Sequence, residues 1–580
     1  MTDFSRIRDC VGQIYGHEQA PGIMDRLEAV LRNRLIRSPA SSAQGLSERD
    51  AMLIAYPDQI RDAGRGPLAS LDEFAGEYLE GLVNGIHLLP FYPASSDDGF
   101  SVVDYRSVDP AYGGWEDVTR LGRRFHLMFD AVINHASVRG EWFKGFLRNE
   151  VPYRDYFVSI NGNPDLSAVV RPRTLPLLTT FATSHGNRAV WTTFSSDQAD
   201  LDFRNPDVLL EIIDLLLFYV EKGASFIRLD AIAYVWKEIG TSCIHRPQVH
   251  WLVRLIRAVL DASAPHVMLL TETNVAHDEN ISYLGDGTNE AHMVYNFALP
   301  PLVLHAFHTG QATTLSEWAG SLALPSKHVG FFNVLATHDG VGLNGARGIL
   351  TEGEIQQLLQ RIEAAGGRIS EKANSGGTPT PYEINANYFD ALESGGSNAD
   401  SEHGVARFLT AHAIMLGFKG LPGIYLHSMF GSRSWEEGVR RTGRARSVNR
   451  EKLGRATIGT ELRDPGSLRS QIYEGIGRLL EARRGCAAFA PGAEQTILHV
   501  GPGIFAFSRG PAVDGSWVLC LHNVTARQQG FPCDAWGEGA GARRQAEDLI
   551  GSSRIAWEST STFPLQPFQS MWLRIKQGED

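Results

Sequence analysis

Three acids in the sequence stand where they could act on a single bond: Asp230, Glu272 and Asp339, each closing a short apolar run. The first is the most informative. The stretch Phe226-Ile227-Arg228-Leu229 reads as a buried strand, yet buried strands of parallel sheets are near-continuously apolar and this one carries an arginine. Arg228 lies two residues before Asp230, so both side chains leave the strand on the same face. A guanidinium beside a carboxylate keeps it ionised, as a carboxylate nucleophile requires. Three acids at one mouth repel each other, which is costly unless the site uses them. The natural division is one ionised nucleophile, one acid held protonated and one orienting partner. Paired carboxylates of this kind cleave glycosidic bonds through an oxocarbenium-like transition state. Taken alone, Arg-Leu-Asp suits a structural ion pair at a strand end equally well. A metal site built from the same acids is the rival chemistry, but Arg228 would repel the cation, and His-x-His and HExxH spacings are absent.

These residues need a scaffold that brings strand ends together. Apolar runs at 51–56, 83–90, 125–134, 224–230, 267–272, 293–297, 330–338 and 421–426 read as strands, with helical spacing between them, for example at 207–222, 250–262 and 405–417. Alternating strand and helix predicts a parallel α/β architecture, and eight strands close a (β/α)8 TIM barrel whose chemistry lies at the C-terminal strand ends. The polar residues there are Asp58, His87, Asp130, Asn134, His135, Arg228, Asp230, Glu272, His338 and Asp339. Alternation lapses in the Pro- and aromatic-rich stretch after His135, too long for a bare loop, so an inserted subdomain is expected after the third strand. The Gly-rich stretch 366–396 reads as a long loop. Beyond Cys486 the pattern alternates in short runs, as in Ser516-Trp-Val-Leu-Cys-Leu-His, and predicts a C-terminal antiparallel β domain. The expected division is 1–135 (N-terminal helices and first part of the barrel), 136–204 (insert), 205–485 (rest of the barrel) and 486–580 (β domain).

Composition narrows the function classes. The 580 residues carry 54 Lys and Arg against 66 Asp and Glu, a net charge of −12 without a basic run, which argues against nucleic acid as a partner. The five cysteines, Cys10, Cys243, Cys486, Cys520 and Cys533, form no CxxC pair, so neither a zinc site nor a disulfide framework is indicated. No apolar run has membrane-spanning length. The first residues lack the apolar core and cleavage site of a signal peptide, so a cytoplasmic enzyme is expected.

Four segments in fixed order, DAVINH (130–135), FIRLDAIAY (226–234), LLTETN (269–274) and VLATHD (334–339), make the chain resemble the α-amylase superfamily of glycoside hydrolases. Within it, GIHLLPFYPASSDDGFSVVDY (85–105), VVRPR (169–173), KEIGTSC (237–243), NFALPPLVLHAFHTG (296–310) and THDGVG (337–342) resemble the sucrose phosphorylase branch, which includes sucrose 6-phosphate, glucosylglycerate and glucosylglycerol phosphorylases. The resemblance implies that Asp230 is the nucleophile, Glu272 the acid/base and Asp339 the transition-state stabiliser. It implies further that Asp58, His87, Arg228 and His338 shape the glucose pocket, with Phe181 as stacking platform, and that Arg173 and Arg446 hold phosphate or acceptor. The implied partners are a small carbohydrate and inorganic phosphate, with no metal or cofactor; a homodimer is expected on the same ground.

The acceptor side departs from sucrose phosphorylases proper. Val341-Gly-Leu-Asn344-Gly-Ala-Arg347 follows the last acid, and the acceptor loop reads Thr380-Pro381-Tyr382-Glu383. Pro381 and the bulky Tyr382 suggest a confined loop and a C3 acceptor rather than fructose. Arg173, Arg347 and Arg433 would serve an anionic acceptor such as glycerate, whereas Glu383 would oppose one and suit glycerol. A hydrolase or transglucosylase on the same scaffold is the alternative. A catalytically dead carbohydrate-binding protein is a third reading, opposed by the three intact acids.

Overall fold

In the computed structural model, which describes residues 4–34, 45–372, 379–393, 403–536, 543–558 and 561–575, the apolar runs form a closed barrel. Its strands are β1 (Met52–Ala55), β2 (Gly85–Leu88), β3 (His126–Ala131), β4 (Ala224–Leu229), β5 (Met268–Thr271), β6 (Met293–Tyr295), β7 (Gly330–Asn333) and β8 (Leu421–Tyr425). Neighbouring strands pair in parallel around the ring, and β8 closes on β1. Every strand lies within one of the eight expected runs. The runs overshoot the strands because their last residues leave the sheet for the loops at the mouth: β7 stops at Asn333, and 334–339 is loop.

The helices between strands have local causes. Helix Pro206–Glu221, between β3 and β4, begins where the Asn205 side chain accepts the Asp207 N–H and Pro206 occupies a first-turn position that needs no donor. Its Leu and Ile residues are buried against the barrel. Helix Glu352–Ala364 starts with a reciprocal Thr351/Glu354 capping box. Among the described residues no helix is long and apolar enough to cross a membrane.

Between β3 and that first helix, strand His135–Ser137 pairs with Gln198–Asp200, and Ser159–Ile160, Gly186–Trp191 and Leu178–Thr183 form a separate antiparallel sheet. The stretch 366–396 is not a long loop. It holds the antiparallel pair Arg368–Lys372 and Thr380–Asn385 and the helix Tyr388–Glu393; residues 373–378 and 394–396 lie outside the described set. Its glycines misled: Gly366, at φ +92°, serves the turn that ends helix Glu352–Ala364.

The C-terminal sheet is six-stranded and antiparallel, in the order Gln495–Leu498, Ile504–Arg509, Trp517–Asn523, Ser570–Ile575, Arg543–Asp548, Ser553–Glu558. Strand alternation feeds two cores. Phe505, Phe507, Val518, Cys520 and Trp572 pack on the barrel, while Ile504, Ala506, Leu519, Leu521 and Leu573 fill the domain's own interior.

Candidate active site

The site grows from the β3–β4–β5 edge of the barrel. Arg228 on β4 is the register partner of Asp130 on β3 and forms an ion pair with it. The same guanidinium lies 3.0 Å from Asp230 Oδ1 and 3.8 Å from Glu272 Oε2, between the rings of Phe100 and Tyr295. His87 Nε2 lies 2.9 Å from the other oxygen of Asp130. Burial alone would raise the Asp130 carboxyl, but Arg228 and His87 outweigh it and hold it down at about 2.

Asp230 and Glu272 extend the strand ladder by one residue each: Asp230 N–H donates to Ala131 O (3.2 Å) and Glu272 N–H to Leu229 O (3.1 Å). The chain then turns abruptly at Ala231, whose φ of +49° is unusual for a residue with a Cβ, and its N–H reaches Glu272 Oε2 at 3.1 Å. Burial pushes both carboxyls up, Arg228 opposes, and neighbouring acids add to the rise.

Asp339 stands on the loop after β7. Its Oδ1 receives Arg446 Nη1 at 2.5 Å and Arg450 Nη2 at 3.1 Å. Against the cost of burial, the Arg446 and Arg450 guanidiniums hold this carboxyl far below the usual range. Arg450 Nε also donates to His338 O (2.9 Å) and Asn449 Nδ2 to Asp339 O (3.1 Å), so the segment Ala445–Asn449 and the residue after it brace the loop. His338 stacks on Phe100 with centroids 5.0 Å apart, and burial lowers its ring to about 3, so the imidazole is neutral.

Asp230, Glu272, Asp339, His338, Arg173, Tyr382, Glu383 and Arg446, all expected at the site, line one cavity that opens to solvent. Arg173 arrives from the insert on a segment tied down by Val170 N–H donating to Ser242 O at 3.0 Å. It makes no ion pair among the described residues. Glu383, by contrast, is held bidentately by Arg446 (2.9 and 2.5 Å), whose third nitrogen is engaged by Asp339, so one guanidinium serves two carboxylates. The shared cation softens, without removing, the opposition to an anionic acceptor expected of Glu383.

Other expected residues lie elsewhere. Asp58 is buried in ion pairs with Lys452 and Arg61, and His87 points at Asp130; neither lines the cavity. Phe181 sits in the insert's sheet, edge-to-face on Phe143, and Phe194 lines the cavity in its place. Arg347 pairs with Glu352 and donates to Pro381 O, and Arg433 pairs with Asp390 and Glu393, so neither lines the cavity. Asp97, Gln198 and Arg450 were not foreseen. The signal for Asp97 was the FYPASSDDGF run, which lies inside the stretch 85–105 that carries the family resemblance.

Residues 74–326 match the family model of the α-amylase catalytic domain. A glucosylglycerate phosphorylase of Spirochaeta thermophila is 44% identical over 584 residues, covering 99% of each chain. A glucosylglycerate phosphorylase of Allomeiothermus silvanus is 47% identical over 568 residues, covering 98% of each. Among solved structures, sucrose 6F-phosphate phosphorylase from Thermoanaerobacter thermosaccharolyticum superposes with a TM-score of 0.73 over 90% of this chain and 100% of the other, at 22% identity, a likeness of fold. With a catalytic barrel, a C-terminal β sheet and full-length relatives of this identity, the chain belongs to the α-amylase superfamily, in its branch of α-glucoside phosphorylases.

Proposed function

We propose that the protein is a retaining phosphorylase of glucosylglycerate, converting it with phosphate into α-D-glucose 1-phosphate and glycerate. The observation that carries this reading is Arg173, a guanidinium that makes no ion pair among the described residues, in the same cavity as Asp230 and Glu272 and near enough to Asp97 to help hold that buried carboxyl down. Acids alone would suffice for hydrolysis. An unpaired guanidinium beside them suits a small anion, and both phosphate and the glycerate carboxylate are small anions. The names of the two full-length relatives point the same way.

In the first step the Asp230 carboxylate attacks the anomeric carbon, the bond to the glycerate oxygen breaks, and Glu272 donates its proton to that oxygen. The product is a β-glucosyl ester on Asp230. In the second step a phosphate oxygen attacks from the opposite side, the ester bond breaks, and Glu272 takes the phosphate proton back. The double displacement requires Asp230 and Glu272 to hold one proton between them before the reaction. Arg228 is closer to Asp230 (3.0 against 3.8 Å), so the charge rests on Asp230 and the proton on Glu272. Asp339, kept ionised by Arg446 and Arg450, stabilises the positive sugar of the transition state.

In this reading the insert, residues 136–204, supplies Arg173 and Phe194 to a barrel made by the flanking segments, and residues 486–580 form a separate β domain. A homodimer, expected from the family resemblance, and a cytoplasmic location complete the reading; light scattering on the purified protein tests the dimer. Incubation with glucosylglycerate and phosphate, followed by NMR, tests the activity. The expected product is the α-anomer of glucose 1-phosphate, and free glucose as the main product would replace the proposal with hydrolysis.

A further inference from the structure

Glu383 brings a full negative charge to the wall of a cavity already rich in carboxylates, and the reaction as derived gives it no task. It is 1% exposed and lies on strand Thr380–Asn385, opposite Gly342 in the antiparallel register. Its two oxygens take Arg446 Nε (2.9 Å) and Nη2 (2.5 Å), and the remaining nitrogen, Nη1, lies 2.5 Å from Asp339 Oδ1. A guanidinium is planar and rigid, so holding Nε and Nη2 fixes the direction in which Nη1 points. The backbone is pressed together at the same place. A Cβ on Gly340, the residue after Asp339, would meet Ile384 O at 2.3 Å and Glu383 Cγ at 2.6 Å, so the loop bearing Asp339 seats on the strand bearing Glu383 only through a glycine.

We infer that Glu383 is a positioning residue for glucosyl transfer, acting through Arg446 to fix the orientation of the Asp339 carboxylate. The inference rests on the role proposed above for Asp339. It gives the acceptor wall a second function: the strand that borders the acceptor also sets a group needed before any acceptor is chosen. In the synthetic direction, from α-glucose 1-phosphate, a residue that merely touched the acceptor would affect the second step alone.

The test is Glu383→Gln, nearly isosteric and still able to accept from Arg446 with one oxygen. Glucose release from α-glucose 1-phosphate is followed with water as the only acceptor, and glucosyl transfer to D-glycerate is followed in parallel. The expected result is a fall in kcat of about tenfold or more, by the same factor in both reactions, with the KM for glycerate moving less. Arg446→Lys, whose ammonium cannot hold two carboxylates in a fixed fork, should show the same profile. The double variant should fall no further than the worse single one, because the three residues act as a unit. Glu383→Asp, which keeps the charge, should recover part of kcat, and melting curves should keep one cooperative transition in every variant. A glycerate KM that rises while the water reaction is untouched would overturn the inference, as would losses that multiply in the double variant. Loss of the cooperative transition in Glu383→Gln and Arg446→Lys alike would also overturn it, making the triad a folding element. In the water reaction phosphate is only the leaving group and not the acceptor, so a wild type that prefers water would sink the phosphorylase reading and leave this comparison standing.

Discussion

Arg228 Nη1 lies 3.0 Å from Asp230 Oδ1 while the same nitrogen is paired with Asp130 on the neighbouring strand. One buried cation therefore serves two carboxylates, one structural and one at the reacting centre.

Arg228→Met should strand both charges and cost about 3–5 kcal/mol, read by urea unfolding at pH 7. Asp130 supplies the pH signature. Its carboxyl, about 2 in the folded protein, lies below the ordinary value near 3.9, so it adds stability that is complete above about pH 4 and lost as pH falls toward 2. In the variant the acid transition should move to higher pH; an unchanged transition would place the Asp130 charge on other partners.

Asp230→Ala should lower turnover on the order of 10⁴-fold or more, because no ester to the enzyme can form. Its melting temperature should hold or rise, since the deletion removes one of several mutually repelling acids. Substantial residual activity in a folded variant would put the nucleophile elsewhere.

The scaffold was legible in the sequence because parallel barrel strands are buried on both faces and read as unbroken apolar runs; Arg228 stood out for interrupting one. The three acids were legible for the same reason, as the residues that end such runs. The aromatic lining was not. Phe181 and Phe194 sit in one irregular stretch, and which of them returns to the mouth depends on how the insert's sheet folds back, a long-range property. Arg446 and Arg450 were two among many arginines in 440–450, and only their distances to Asp339 separate them from solvent-facing neighbours such as Arg440, Arg441 and Arg444. The charge of Glu383 was visible, but its pairing with a residue 63 positions away was not.

Stability should fall between pH 6.5 and 4. Burial lowers His245, His292, His308 and His412 to about 4, and His338, His427 and His522 to about 3. Below the unfolded value near 6.5 the unfolded chain takes up protons that these buried rings refuse, so stability is full above 6.5 and drains as pH falls. The raised carboxyls of Asp230, Glu272, Glu451 and Asp548 pull the other way but are fewer. Denaturant unfolding at pH 7 and pH 5 checks this, with proton uptake on unfolding at pH 5; equal stabilities would contradict it.

Arg173→Ala should raise the KM for phosphate by roughly tenfold to a hundredfold, the worth of one or two charge-assisted hydrogen bonds, with a smaller change in kcat. The same variant should weaken D-glycerate in the synthetic direction. A KM for phosphate left at its original value would remove Arg173 from the anion site.

The central claim is that a small anion, and not water, resolves the glucosyl-enzyme. The direct measurement is phosphate release from α-D-glucose 1-phosphate with D-glycerate, glycerol, fructose or fructose 6-phosphate supplied separately. Rapid release that depends on D-glycerate, with the others slow, is the predicted result. Equal slow release with every acceptor and with none would mean that water is the acceptor, and the protein would be a hydrolase on this scaffold.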